Sequence, residues 1–201
     1  MQEIYHDEFW QQLNFWSIKI SPCTILEIGG GTGDGSTTAF FDSIEKGSKV
    51  FSVEAQIERY QELRKKPIEA LYGCSVSPED YMTKRAVKKF YKSETTKLNE
   101  TPLKMVLNWR KEELKFIKKI PHNVAKDINA EFVFIDGSPF TGEKELQYCV
   151  LMNPKIKVVA LDDVNCIKNF RNYQTLSESQ EWEKVWENLT SRNGATIFVK
   201  K

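Results

Sequence analysis

The chain has 201 residues, of which 40% are hydrophobic and 28% charged, and its 29 basic and 28 acidic residues nearly cancel. That balance gives no bulk-charge argument for nucleic-acid or membrane binding, and no apolar run approaches the ~18 residues that a membrane helix needs. Two histidines, and four cysteines without metal-site spacing, give no sign of a His-rich or Cys-rich metal centre. We expect a cytoplasmic protein with reduced thiols and one domain spanning residues 1–201.

Short apolar runs alternate with helical patterns along the chain. An amphipathic helix is predicted within residues 1–20. Strands are predicted at residues 24–28, 49–53, 68–76, 131–135 and 157–161, and helices at residues 35–46, 56–66 and 141–151. Asn193-Gly194 lies between apolar runs at 185–189 and 195–199, which is the pattern of an antiparallel hairpin. The alternation indicates a mostly parallel sheet covered by helices on both faces.

Residues 78–119 interrupt this alternation and are predicted to form a helical insertion of two helices. The segment is the one strongly basic region of the chain, with the residues Lys84, Arg85, Lys88, Lys89, Lys92, Lys97, Lys104, Arg110, Lys111, Lys115, Lys118 and Lys119. Such a run either faces solvent or forms a collar for an anionic acceptor, such as a phosphorylated sugar, a coenzyme A ester or RNA. Both interpretations stay open.

The first predicted strand ends in a glycine turn, Glu27-x-Gly29-x-Gly31-x-Gly33, and a predicted helix follows. A dinucleotide fingerprint needs a third glycine where Asp34 or Ser36 stands, and a P-loop needs a lysine where Ser36 stands. Both phosphate-binding interpretations are therefore rejected. The turn instead suits a ligand without phosphates, because glycines let such a ligand approach the backbone closely.

This segment resembles the first motif of the class I S-adenosylmethionine (SAM)-dependent methyltransferases. Glu54 ends the second strand 21 residues after Gly33, where this class places an acid that accepts the two ribose hydroxyls. The resemblance implies an α/β, Rossmann-like doubly wound, mostly parallel seven-stranded sheet with an antiparallel C-terminal edge hairpin. It also implies SAM as the cofactor. The implied cofactor-binding residues are Glu27, Gly29, Gly30, Gly31, Gly33, Glu54, Cys74, Ser75 and Asp136.

The third predicted strand ends in Tyr72-Gly73-Cys74-Ser75, where members of this class pack the adenine. They often carry an acid after the glycine. Cys74 stands in that place here, and Ser75 is the candidate for bonding the adenine amine.

Acidic residues follow two further predicted strands. Asp136 follows the fourth strand, and Asp162 and Asp163 follow the fifth, so the three carboxylates should converge where parallel strands end. Crowded carboxylates raise one another's pKa unless a cation balances them, and Mg²⁺ prefers oxygen ligands. The chain is similar here to the small-molecule O-methyltransferases of the class, which implies Asp136, Asp162 and Asp163 as metal ligands. The alternative is that Asp136 contacts only the cofactor's amino group, while Asp162 and Asp163 cap a helix.

The reaction that this resemblance implies is O-methylation of a small-molecule acceptor, with Asp136 and Asp162 as catalytic residues. Pro139 stands where macrolide-sugar-type members have a histidine base, but a metal-bound hydroxyl could lose its proton without one. Neither Asn/Asp-Pro-Pro-Tyr nor Pro-Cys follows the fourth strand, which argues against amine and cytosine C5 methylation. Methylation of RNA or another anionic acceptor remains an alternative, as does a non-catalytic nucleoside-binding protein.

Overall fold

Seven strands form one sheet in the computed structural model, which describes residues 4–94, 96 and 100–201. The strands are β1 (Thr24–Ile28), β2 (Lys49–Glu54), β3 (Glu69–Tyr72), β4 (Phe132–Ile135), β5 (Val158–Asp162), β6 (Trp182–Asn188) and β7 (Ala195–Lys200). Their order across the sheet is β3-β2-β1-β4-β5-β7-β6.

The first five strands pair in parallel, and β7 pairs antiparallel with both β5 and β6. β1 lies between β2 and β4, so the chain crosses over at the centre of the sheet. The carboxyl ends of β1, β2, β4 and β5 therefore meet at one edge. This topology confirms the predicted mostly parallel seven-stranded sheet with an antiparallel C-terminal edge.

Helices cover both faces of the sheet. They are α1 (Glu8–Lys19), α2 (Phe41–Glu45), α3 (Ile57–Leu63), α4 (Lys84–Ser93), α5 (Leu103–Ile117), α6 (Gly142–Glu145) and α7 (Phe170–Glu178). Short 3₁₀ turns lie at Ser36–Phe40 and Pro78–Asp80, and a π-helical turn continues α6 over Leu146–Leu151. None of the described helices is long and apolar enough to cross a membrane.

Alternate residues of each strand point to opposite faces and build two separate cores. On one face, Phe134 of β4 packs edge-to-face on Phe9 of α1, with ring centroids 5.7 Å apart. On the other face, Val133 belongs to the same cluster as Leu176 of α7. A third cluster joins α4 and α5 to the loops after β3 and β4. All four cysteines are buried and free.

Two predicted elements have different bounds in the structure. The third strand ends at Tyr72 rather than at residue 76, because Gly73 takes a φ of 140° and the Cys74 N–H turns to the Pro121 carbonyl at 2.8 Å. The single helix predicted at residues 35–46 is a 3₁₀ turn followed by the short helix α2. The early end of β3 brings its carboxyl end close to the loop that follows α5.

The C-terminal hairpin is confirmed, but its turn is longer than the predicted Asn-Gly turn. β6 and β7 are joined by the loop 189–194. Arg192 and Gly194 adopt positive φ angles of 49° and 80° in this loop, and the Gly194 N–H donates to the Ser191 carbonyl at 2.8 Å. The longer loop places Arg192 over the carboxyl end of β5.

The N-terminal helix begins later than the sequence pattern predicts. Asp7 is its N-cap, and its carboxylate accepts the Trp10 N–H at 2.8 Å. His6, with a φ of 51°, is outside helical geometry, which explains why the helix starts at Glu8. Residues 1–3 of the predicted helix and Lys97 of the basic segment lie outside the described residues.

Candidate functional site

The carboxyl ends of the central strands bring the predicted site residues to one edge of the sheet. The glycine turn 29–33 follows β1, and Glu54 is the last residue of β2. Asp136 follows β4 directly, and Asp162 is the last residue of β5. Cys74 lies after β3, at the side of the same edge. In open α/β sheets, ligands bind in the crevice outside this edge.

The glycines of the turn are needed for different reasons. A Cβ built on Gly30 would lie 2.0 Å from Ser52 Oγ, and one on Gly29 would lie 2.4 Å from the Asp136 carbonyl oxygen. A Cβ on Gly31, which has a φ of 58°, would meet no atom within 4 Å. Gly29 and Gly30 are therefore required by the protein's own packing, whereas Gly31 faces open space where a ligand can approach the backbone.

The end of the turn is covered by a surface ion pair. Gly33 adopts a φ of 80°, and a Cβ there would lie 2.8 Å from Lys66 Cγ. Lys66 Nζ is 2.5 Å from Asp34 Oδ1. The carboxylate of Asp34 is thus paired with a lysine of the protein.

Glu27 lies behind the turn and is fully buried. Its carboxylate accepts hydrogen bonds from Ser36 Oγ at 2.6 Å, Thr37 Oγ1 at 2.7 Å and Ser52 Oγ at 2.6 Å. Burial raises the pKa of Glu27, although these three hydroxyls counteract the rise. Glu27 is therefore a support of the turn rather than a group open to ligand, and its predicted contribution to cofactor binding would act through the turn.

Glu54 is held so that its carboxylate borders the open space at Gly31. Its Oε2 accepts the Gly31 N–H at 3.0 Å, and its Oε1 accepts the Gln56 N–H at 2.7 Å. Burial raises the pKa of Glu54, while the backbone N–H groups and the charge of Arg59 favour its ionised form. These backbone groups do not use all the lone pairs of the carboxylate, so Glu54 can still accept a hydrogen bond from a ligand.

Ser75, one of the two predicted adenine-side residues, contacts a buried acid that sequence reasoning missed. Ser75 Oγ donates to Glu145 Oε1 at 2.6 Å, and Thr141 Oγ1 donates to the same oxygen at 2.9 Å. Glu145 Oε2 is buried and has no hydrogen-bond partner among the described residues. Burial raises the pKa of Glu145 to about 7. Burial also raises the pKa of the Cys74 thiol to about 11, so Cys74 stays uncharged near neutral pH and cannot replace an acid.

Three carboxylates converge at the ends of β4 and β5, as predicted. Oxygen atoms of Asp136, Asp162 and Asp163 all lie within 4.8 Å of one another, which is close enough for a shared cation. The structure places an ammonium group there. Lys168 Nζ is 2.5 Å from Asp136 Oδ1 and 2.5 Å from Asp163 Oδ2, and the lysine side chain is only 9% exposed.

A second cation contacts the remaining acid of this cluster. Arg192 Nη2 donates to Asp162 Oδ1 at 3.3 Å, and Arg192 Nη1 donates to Asp7 Oδ2 at 2.6 Å. The alternative role of Asp162 and Asp163 as helix caps is wrong, because α7 begins seven residues further on with Asn169 at its N-cap.

Burial and mutual repulsion act together on these acids. Burial, and then the charges of Asp136 and Asp163, raise the pKa of Asp162 to about 7. Burial also raises the pKa of Asp136 against the opposing effect of Lys168. For Asp163, the ion pair and hydrogen bond with Lys168 outweigh burial and lower the pKa. Burial disfavours the charge of Lys168, but the three carboxylates more than compensate and raise its pKa, so the lysine stays protonated.

Sequence reasoning missed Lys168 and Arg192, although one signal was present. Lys168 follows Asp162-Asp163 within the same short loop, and three clustered acids require positive charge nearby. Arg192 gave no such signal, because it lies 30 residues from Asp162 in the chain and reaches it only through the hairpin loop.

No protein-family model and no curated protein matches the chain. Solved structures match it over nearly its full length. An O-methyltransferase from Bacillus cereus in complex with S-adenosylhomocysteine (SAH) has a TM-score of 0.56 at 16% identity, covering 98% of this chain and 83% of that one. Cofactor-bound Rv0187 from MTB has a TM-score of 0.59 at 12% identity, covering 100% and 83%. SAH-bound methyltransferase PaMTH1 of Podospora anserina has a TM-score of 0.53 at 12% identity, covering 96% and 78%.

The chain has the fold of the class I SAM-dependent methyltransferases. This confirms the Rossmann-like fold that the glycine turn implied.

We expect Gly30→Ala to lower the free energy of unfolding by about 2–3 kcal/mol, because Ser52 Oγ must move and leave Glu27 with one hydrogen bond fewer. Urea unfolding measures the change. The same substitution made in a Ser52→Ala background should cost clearly less, because the clashing oxygen is gone. An equal loss of unfolding free energy in both backgrounds would show that the clash with Ser52 is not the reason why position 30 requires glycine.

The buried carboxyl of Glu145 should make stability depend on pH. Its folded pKa of about 7 exceeds the ordinary value of 4.5, so the folded state keeps a proton that the unfolded state loses between these values. Stability should therefore fall by up to roughly 3 kcal/mol as the pH rises from about 4.5 to 7. Glu145→Gln should remove this loss, as seen in urea unfolding at pH 5 and pH 8.

Glu131→Gln is the matched control for this pH experiment. The hydrogen bond and ion pair with Lys157 lower the pKa of Glu131, so its contribution to stability is lost as the pH falls. That loss occurs only below the ordinary pKa of about 4.5, so Glu131→Gln should leave the stability difference between pH 5 and pH 8 almost unchanged, whereas Glu145→Gln should reduce it. An unchanged profile for Glu145→Gln would mean that Glu145 does not carry the predicted titration.

Proposed function

We propose that this chain is a methyltransferase that uses SAM. The observation that carries the proposal is the position of Glu54, which the Gly31 N–H holds beside the open face of the glycine turn. A nucleoside needs an acceptor for its ribose hydroxyls next to a backbone that it can approach closely, and this pair of residues supplies both. The structural neighbours described above include SAH-bound methyltransferases, which supports the same cofactor.

The residues of the edge fit this cofactor without any phosphate-binding group. Gly31 would admit the methionine part over the turn, and Glu54 would accept the ribose hydroxyls. Ser75, at the end of β3, would lie on the adenine side, with its hydroxyl oriented by Glu145. Asp136, directly after β4, would face the cofactor's amino group. When bound, SAM supplies a methyl group on a positively charged sulfur.

The chain's own residues would mainly hold and orient the acceptor, because methyl transfer from a sulfonium depends chiefly on positioning. We infer a small-molecule hydroxyl as the acceptor; one structural neighbour is an O-methyltransferase. Asp136 and Asp162 are the catalytic residues of the proposal. Asp162 lies at the end of β5, beside Asp136, and its pKa of about 7 suits a group that takes up the acceptor's proton.

Metal assistance is the part of the predicted chemistry that these residues do not support. Asp136, Asp162 and Asp163 offer the right kind of ligand atoms for Mg²⁺. Lys168 Nζ, however, lies 2.5 Å from two of the three carboxylates, in the space that a shared ion would need. No step of the proposed reaction is therefore assigned to a metal.

An anionic acceptor is the second candidate, and one feature of the structure favours it. Helices α4 and α5 line a groove of about 930 Å³. Trp109 is 44% exposed and lies among the basic residues of this groove, where a ring or base could stack on it. The basic lining residues are Lys84, Lys88, Lys104, Arg110 and Lys111. A phosphorylated small molecule or RNA would match this charge.

SAH should bind the purified protein, and Glu54→Ala should weaken binding by about 1–3 kcal/mol, because ribose hydroxyls lose their acceptor. Isothermal titration calorimetry measures both affinities. Glu58→Ala, on the exposed side of α3, makes the same charge change and should leave the affinity unchanged. Tighter binding of NAD than of SAH, or no binding of SAH, would contradict the proposed cofactor.

RNA as the acceptor predicts a steep loss of affinity with rising salt, because each phosphate contact releases a counterion. The measurement is fluorescence anisotropy of a labelled single-stranded oligonucleotide at several salt concentrations. Replacing Lys104 and Lys111 by Glu should flatten the dependence. Lys46→Glu, on the loop after α2, is a control that should not flatten it. A small-molecule acceptor predicts no retention of the oligonucleotide at low salt, and that result would remove RNA from the candidates.

A further inference from the structure

Contacts of the neighbouring backbone fix the loop position from which the Lys168 side chain extends. Asn169, the next residue, donates from Nδ2 to the Ile135 carbonyl at 3.0 Å and to the Asp162 carbonyl at 2.7 Å. A Cβ on Gly142 would lie 2.1 Å from the Lys168 carbonyl oxygen, so α6 packs closely against this backbone. The loop that carries Lys168 is therefore clamped between the ends of β4 and β5.

The lysine ammonium lies between two of the three acids that a shared cation would use. Its Nζ atom is 2.5 Å from Asp136 Oδ1 and 2.5 Å from Asp163 Oδ2, while the two carboxylates are about one-fifth exposed. The other oxygen of Asp163 accepts the Asn193 Nδ2–H at 2.9 Å. Mg²⁺ needs ligand oxygens at about 2.1 Å in near-octahedral geometry, and a buried ammonium at this place would repel it.

The third acid is also neutralised from within the chain. Asp162 Oδ1 accepts a hydrogen bond from Arg192, which reaches across from the hairpin loop. Arg192 is in turn paired with Asp7 at the start of α1. The acidic cluster thus has two fixed cationic partners on two different segments, and both partners are largely shielded from solvent.

We propose that Lys168 takes the place of a divalent cation at this edge, so that the site works without a metal. Lys168 is a positioning residue that holds Asp136 and Asp163 together. An ammonium has three N–H donors, so it can serve both carboxylates and offer one donor to an acceptor oxygen. This last role rests on the proposed function, whereas the exclusion of metal does not.

Metal binding can be tested directly, without any assay of methyl transfer. Titration of the full chain with Mn²⁺, followed by electron paramagnetic resonance of the free ion, should show no stoichiometric binding. Lys168→Met keeps most of the unbranched side chain, which becomes one atom shorter, and removes the charge. It should create one Mn²⁺ site, with a gain in affinity on the order of tenfold or more, because Asp136 and Asp163 then lack the ammonium between them. Adding Asp163→Asn to this variant should abolish the gain.

Lys66→Met is the matched control. Lys66 Nζ is also 2.5 Å from a carboxylate oxygen, that of Asp34, but it pairs with no second acid among the described residues. This variant should gain no Mn²⁺ site. Circular dichroism and urea unfolding establish that each variant is folded, and Lys168→Gln replaces Lys168→Met if the latter does not fold.

Two outcomes would overturn the proposal. One is a single Mn²⁺ bound by the unaltered chain, displaced by Mg²⁺ and lost in Asp162→Asn. The other is a folded Lys168→Met or Lys168→Gln protein that binds no more Mn²⁺ than the unaltered chain. Failure of SAH to bind would contradict the proposed function alone, because the Mn²⁺ titration does not depend on the cofactor.

Discussion

Three carboxylates at the ends of two neighbouring parallel strands impose the constraint on which this edge of the protein depends. Asp136, Asp162 and Asp163 are brought together by the pairing of β4 with β5, and their charges repel one another where solvent is largely absent. Lys168 and Arg192 balance this negative charge by forming ion pairs with the acids. Breaking either pair would leave a buried charge unpaired, which is far more destabilising than losing a surface ion pair.

The same ionic network ties distant segments of the chain to one edge of the sheet. Arg192 lies in the hairpin loop, contacts Asp162 at the end of β5 and pairs with Asp7, the N-cap of α1. The start of the first helix, the end of the fifth strand and the last turn of the chain are therefore mutually positioned by one guanidinium group. Its planar, multi-donor geometry suits it to hold two carboxylates at once.

Buried carboxylates also lie beside the glycine turn, but there neutral hydrogen-bond donors stabilise them. Glu27 is surrounded by three hydroxyls, and Glu54 is held by two backbone N–H groups. Hydrogen bonds from neutral groups orient a carboxylate without pairing its charge. Glu54 can consequently still accept hydrogen bonds from a neutral ligand. Asp163 differs in that one of its two partners, Lys168, is a charged group that pairs with the carboxylate.

The sequence by itself determined the fold and the position of the glycine turn. The evidence for both was local: strand and helix periodicity, the glycine spacing after β1, and Glu54 at the end of β2. Such patterns can be recognised in the sequence without knowing which distant segments are in contact. They placed the sheet, the turn and the three acids correctly at one edge. They also placed the C-terminal hairpin, although its turn proved longer than the Asn193-Gly194 signal indicated.

Only the tertiary structure decided what balances the acids. A metal ion and an internal ammonium satisfy the same requirement for positive charge, and the sequence pattern of Asp136, Asp162 and Asp163 is the same in both cases. The choice depends on where a lysine in a loop comes to lie, and Asn169 fixes that position through carbonyls of two different strands. Contacts between segments far apart in the chain, such as those of Arg192 and Glu145, follow from packing and leave no periodic trace in the sequence.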